Sequence, residues 1–437
     1  MQTDVIGEFT SNSSFSTLPI EVRERTRLAI LNLLAVSIGA NSYPQSKELI
    51  KTCRDMQAGD LPIYGSGTGS GAISSAWANS SLAHLLDFDD THLESIVHPS
   101  APVIPSTLAL GTEKGRSGEE IIFASTMGME LAIRLALSVG LDERYSDWHN
   151  TSLYGTSASA LASSVMLHSN SSEISNSILQ GLTVATGFLS NRGTASKSFQ
   201  VGRSSAEGII SSMAAKNGVS VSKNILRTFS FSLSGHNEND ALTKDLGKKW
   251  HVLNNFLKPY PCGVVLHPGI DAAIRLKEEG FSIGDVDQIY VHVNPVVMVL
   301  TAILEPKSGL ESKFSVTHAI AAALVNGKLF PEHFSERAVH DPGISEVRKK
   351  IKVFEEENVN RGQTIIEVKY KNGRKERVDI NRGPETPSVM MNEKDVRSKF
   401  FHMAEPVLGA EKSKDIWDYF SRLESKKDVS EIREIFN

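Results

Sequence analysis

Through the first 220 residues, apolar positions recur at three- and four-residue spacing, the signature of helices with one buried face. Val22, Leu28, Ile30, Leu31, Leu34 and Ala35 predict a helix that opens after Leu18-Pro19 and stops at Gly39. Pro19 falls near its first turn, where a missing N–H costs little. Asn32 and Ser37 interrupt the apolar run over 28–40, which therefore reads as a buried helix. The same periodicity predicts helices over about 74–86, 104–114, 118–139, 152–169, 172–190 and 204–218. Small residues crowd two of them, at 157–164 and 211–215, which permits close helix–helix approach.

The pattern changes after about residue 256. Residues 288–294 alternate as a half-buried strand does, and so do 364–370 and 375–380. The last two flank Asn372-Gly373, a dipeptide that favours a tight hairpin. Two helices, near 315–326 and 344–350, lie among these strands, and charged amphipathic helices follow at 393–403 and 412–423. The expected architecture is mainly α. A large all-helical domain comprises residues 1–255 plus 395–437, and a smaller α+β domain comprises 256–394.

With 437 residues the chain is long enough for two such cores. A hydrophobic fraction of 40%, a charged fraction of 22% and a net charge of -5 are ordinary for a globular protein. There is no dense Lys/Arg stripe, so neither nucleic acid nor an anionic membrane is expected as a partner. The polar start of the chain reads as no secretory leader, and no stretch reads as a membrane span of roughly 20 apolar residues. Two cysteines, Cys53 and Cys262, fit a reduced cytoplasmic setting. They are too few for an iron–sulfur cluster or a Cys-rich zinc site.

The chemistry concentrates in few places. His84, Asp87, Asp89, Asp90, Thr91, His92 and His98 crowd one short segment. Such density suits acid/base work, a metal site, or a solvated helix end followed by a loop. His149 precedes a predicted helix start, where the positive end of the dipole favours a neutral imidazole and a nearby anion. Lys197 and Arg203 sit in a Gly/Ser-rich stretch, 193–205, that lacks a nucleotide-binding pattern but suits carboxylates. Gly65 to Gly71 reads as a flexible connection. Cys262 and His267 lie at the boundary between the two patterns, where clefts commonly form. No GxSxG elbow and no HExxH motif occurs.

In order, these pieces resemble the MmgE/PrpD family. They are the Leu18-Pro19 helix, His84 with Asp87 to Thr91, His98-Pro99-Ser100, Trp148-His149, Gly193-Thr194 with Lys197, Lys258-Pro259-Tyr260-Pro261-Cys262 and Lys313-Phe314-Ser315. The resemblance runs from about residue 18 to the Lys399-Phe400 helix. It implies a helical domain with a smaller α+β domain in a homodimer, acting without metal or organic cofactor on small di- or tricarboxylates. Family activities include 2-methylcitrate dehydration, cis-aconitate decarboxylation and iminodisuccinate epimerisation. Carried over by position, it implies Asp87, His98, His149 and Lys197 as catalytic residues. Thr91, Arg203, His267 and His318 are expected at the substrate. Gln200 and His318 stand where the family often has His and Tyr, and the stretch from Asp90 to His98 is one residue longer; all three changes are expected at the pocket.

The expected chemistry is a dehydratase-like elimination begun by removing a proton beside a carboxylate. His98 and His149 would be acid and base, with Asp87 orienting one imidazole. Lys197 would bind a carboxylate or donate a proton, supported by the Arg203 cation, and Thr91 would supply a hydrogen bond. Decarboxylation, epimerisation, a non-catalytic carboxylate-binding role and a metal hydrolase using the Asp/His cluster are the alternatives.

Overall fold

The computed structural model describes residues 1–140, 147–237, 239–382 and 391–436. The helical body is built around Ile20–Gly39, whose residues are buried almost all round from Ala29 onward. Ala72–Leu85, Ser100–Lys114, Gly118–Val139, Asn150–Met166, Ser171–Val184 and Ser196–Lys216 pack about it. Gly118–Val139 is long and apolar enough to cross a membrane, which the sequence reading overlooked; 94% of its most apolar window is buried inside the body. Such burial is what a core helix requires.

The helix predicted from 204 begins at Ser196, so Lys197 rides on a helix rather than in a loop. The helix predicted to run to 190 ends at Val184. Helices at Gln2–Ser11, Pro44–Met56, Ile225–Ser234 and His267–Glu278 were not anticipated. Gly65 to Gly71 is not merely a connection. Its Thr68–Ser70 pairs antiparallel with Leu61–Ile63, and Gly65 and Gly67 stand at positive φ in the turn between them.

In the smaller part, four strands lie in the order Ile351–Glu355, Val286–Val293, Gln363–Tyr370, Lys375–Asn381. The first pair is parallel and the others are antiparallel. The hairpin closes at Asn372-Gly373, with Gly373 at φ 86° and the Asn372 side chain accepting from the Arg374 N–H at 2.9 Å. The helices His267–Glu278 and Val316–Asn326 bury the apolar face of this sheet.

Two separate hydrophobic cores result, one from helices before residue 258 and one spanning Cys262 to Val378. The C-terminal helices Glu393–Leu408 and Ala410–Phe420 return to the first core through Val396, Phe400, Ile416 and Phe420.

Candidate active site

The acidic segment begins where the helix Ala72–Leu85 ends. Asp87 adopts a left-handed conformation, φ 51°, unusual for a residue with a Cβ. The chain then forms the short strand Asp90–His92, which pairs antiparallel with Asn255–Leu257. That ladder brings Lys258 alongside, its N–H donating to the Asp89 carbonyl at 3.2 Å.

Two ammonium groups converge on Asp87. Lys197 Nζ donates to Oδ1 and Lys258 Nζ to Oδ2, each at 2.7 Å. Lys197 also lies 2.6 Å from His84 Nε2. A glycine sets this approach: a Cβ at Gly202 would sit 2.5 Å from the Trp77 carbonyl, so only glycine lets the two helices come so close. Burial alone would raise the Asp87 carboxyl. Lys197 and Lys258 outweigh it and hold the group ionised, well below its ordinary value.

Asp89 orients the imidazoles. It meets His84 Nδ1 at 2.7 Å and His98 Nδ1 at 3.0 Å, one through each oxygen. The reading that Asp87 orients a histidine is corrected here, because both Asp87 oxygens are taken by lysines. With Asp89 ionised, each Nδ1 carries the proton, a tautomer inferred from the partners. His84 Nε2 then accepts from Lys197. His98 Nε2 is left toward the cleft. Thr91 Oγ1 donates to the Asp90 carbonyl at 2.8 Å and lies 3.3 Å from His98 Nδ1, so this buried hydroxyl serves the imidazole.

His149 immediately precedes the helix Asn150–Met166, with Nδ1 2.8 Å from Ser152 Oγ. Burial and the Lys197 charge hold its imidazole well below the ordinary value, and burial lowers His98 despite Asp89. Burial and Lys197 take His84 down to about 4. Asp90 goes the other way, up to about 6, through burial and the adjacent Asp89 charge.

Asp87, His98, His149, Lys197 and Lys258 share one cleft between the two cores. Arg192 lines it as well, and Ile96, Leu189, Val264, Val265 and Leu300 form an apolar wall. The segment before His98 supplies Ile96, held at φ 53°. That conformation is an outlier for a β-branched residue and is retained here at the cleft.

Other expected residues lie elsewhere. Arg203 is more than half exposed on the outer side of its helix, 3.6 Å from Glu207, and does not line the cleft. His318 belongs to the second core, its Nε2 donating to the His333 carbonyl at 2.9 Å. His267 is buried among Phe256 and Tyr260, behind the cleft wall. Gln200 is likewise not a pocket residue. It accepts from the Phe188 N–H and Asn191, tying down the loop that carries Leu189.

Sequence reasoning passed over His84, Asp89 and Lys258 as site residues. His84 and Asp89 lay in the crowded segment, and Lys258 opened the Lys-Pro-Tyr-Pro-Cys motif; the structure shows what each holds. Among the described residues, His84, Asp89 and His98 could present metal ligands within 4.8 Å of one another. Two features of the geometry disfavour that use: both Asp89 oxygens already accept imidazole N–H groups, and the Lys197 ammonium stands against His84.

The arrangement can hold an anion and move a proton. With Asp87 and Asp89 both ionised, Lys197, Lys258 and the Arg192 guanidinium of the same cleft leave one positive charge in excess, which suits a substrate carboxylate. Two neutral imidazoles, anchored from behind, face the same space.

Comparison with known proteins agrees in extent with this two-part fold. Residues 4–230 match the MmgE/PrpD N-terminal domain and residues 260–425 the MmgE/PrpD C-terminal domain. The cis-aconitate decarboxylase of Aspergillus terreus is 23% identical over an alignment covering all of this chain and 96% of that protein. A cis-aconitate decarboxylase-like protein of Aspergillus oryzae is 22% identical, covering 95% of this chain and 93% of its own length. The human cis-aconitate decarboxylase is 24% identical over 64% of this chain and 60% of its own. With family domains matched on both sides of the cleft, the chain belongs to the MmgE/PrpD family.

Proposed function

We propose that this protein is a lyase acting on a small di- or tricarboxylate, by proton abstraction and dehydratase-like elimination, with no metal or organic cofactor taking part. The observation that carries the reading is the pair of anchored, neutral imidazoles facing the same cleft as the Lys197–Asp87–Lys258 bridge. Lys197 and Arg192 hold substrate carboxylates, while Lys258, whose ammonium donates to the Asp87 carboxylate and to the Asp87 and Cys262 carbonyls, adds its charge from behind. The free nitrogen of His98 or His149 takes a proton from the carbon next to a carboxylate. The electron pair forms the new double bond and expels a β-hydroxyl, which leaves as water with a proton from the Lys197 ammonium. The cations stabilise the enolate charge that builds up in between.

The apolar wall of Ile96, Leu189, Val264, Val265 and Leu300 favours a substrate with an alkyl branch, 2-methylcitrate being one. A second reading, cis-aconitate decarboxylation, is favoured by the names of the relatives that span the chain. There the proton is delivered to the alkene carbon, the double bond shifts, and the C–C bond breaks to release carbon dioxide.

A panel of di- and tricarboxylates incubated with the enzyme in deuterated water and followed by NMR tests both. A new alkene with loss of hydroxyl supports elimination. Carbon dioxide with deuterium in the product supports decarboxylation. The absence of both turnover and solvent exchange on every one of the acids would refute a catalytic role for the cleft.

A further inference from the structure

The helix Glu393–Leu408 sends one lysine into the site from behind. Lys399 is 6% exposed, and its Nζ donates to the Phe88 carbonyl at 2.6 Å and the Lys258 carbonyl at 2.8 Å. It also lies 3.5 Å from the centroid of the Phe88 ring. Both carbonyls are placed tellingly. Phe88 separates Asp87, which holds the two lysines, from Asp89, which holds the two imidazoles. Lys258 is itself one of the Asp87 partners.

We propose that Lys399 is a positioning residue for the reaction: it pins the peptide between the two aspartates to the strand end that carries Lys258, and so fixes Asp87, Asp89 and the imidazoles relative to one another. The left-handed turn at Asp87 needs such a restraint. A neutral polar residue could bond one of these carbonyls. The lysine amine on its long stem reaches both and also sits over an aromatic face. The C-terminal helix is thereby part of the active site without touching substrate, which rests on the cleft being the site of reaction.

The test compares Lys399→Met with the wild-type full chain, in turnover and in the NMR titration of the His98 and His84 imidazoles without substrate. Displacement of the site by an ångström predicts a fall in kcat of about 100-fold with KM changed far less. It also predicts displaced imidazole titrations, because Asp89 no longer sits squarely behind both rings. Should Lys399→Met fail to fold, Phe88→Leu leaves the carbonyl but frees the Lys399 amine to shift. That variant should lose about tenfold in kcat, a tenth of the larger effect, with a moved pH profile. A lower melting temperature with unchanged imidazole titrations and an unchanged pH profile, in whichever variant folds, would overturn the proposal. The NMR readout needs no substrate, so failure of the proposed activity would not be mistaken for failure of this role.

Discussion

Two of the buried charge clusters in the helical body are built to opposite plans. At Glu130 and Arg134, one anion meets one cation a single helical turn away, Nε to Oε1 at 2.7 Å. The remaining Arg134 donors go to the carbonyls of Ala241, Lys244 and Lys249, and the other Glu130 oxygen accepts from the Val252 N–H. Charge is balanced, the donors are directed inward, and a loop is pinned to a helix. At Asp87 two cations share one carboxylate, two imidazoles keep a nitrogen toward the cleft, and the backbone is left-handed. Buried charge is costly unless paired. A closed pair therefore marks architecture, whereas a surplus cation beside open space marks a place for an anion.

The sharpest way to break that distinction is to neutralise one anion from each. Asp87→Asn, which leaves two buried lysines without their anion, should lose stability, but its folded fraction should also lose about 10³-fold in turnover, because the lysines are no longer held. Glu130→Gln should instead lose about 3–5 kcal/mol of stability, seen in denaturant melts, while the folded fraction keeps its activity. Two variants that both lose only stability would erase the contrast. Alanine at His149 or Lys197 should lower kcat by about 10²- to 10³-fold with the fold intact by circular dichroism. Full turnover on the true substrate in either would remove that residue from the chemistry.

Acid separates the regions less strongly. His84 and His251 lie at about 4 and His92 at about 3, all lowered chiefly by burial. An unfolded imidazole binds its proton near 6.5, so these groups favour the unfolded chain as pH falls from there toward 4. Asp90 acts in the opposite sense, its raised value of about 6 adding stability below that pH. Denaturant midpoints should therefore fall between pH 6.5 and 4, and substituting His92 or His251 by Gln should flatten the decline. A midpoint constant across that range would contradict the burial of neutral imidazoles.

Lys313 stands beside the Asp87 cluster, lowered by burial to about 8. If its charge helps hold the substrate, KM should rise by less than about tenfold above pH 8, and Lys313→Met should abolish the rise. The smallest effect belongs to Arg203. Its alanine variant should change kcat/KM by less than about twofold, as an exposed side chain outside the cleft would. A larger loss would restore it as a substrate cation.

Much of this plan was legible in the sequence. The 3.6-residue periodicity located the helical body, because a buried helix must repeat its apolar face whatever it packs against. Asn372-Gly373 announced its hairpin for a similarly local reason. The crowding of carboxylates and imidazoles between His84 and His98 marked the right segment. Asp87, His98, His149 and Lys197 do line one cleft.

Only the folded chain decided which group partners which. Lys197, Lys258 and Lys399 reach the acidic segment from 110, 171 and 311 residues away. Their pairings follow from a two-strand ladder, a glycine-permitted helix contact and a returning C-terminal helix, none of which leaves a local periodic trace. For the same reason Arg203, six residues past Lys197, could not be told from it until the helix was seen to turn it outward. Spacing along the chain shows which residues can share a face; the direction in which that face packs is set by the rest of the molecule.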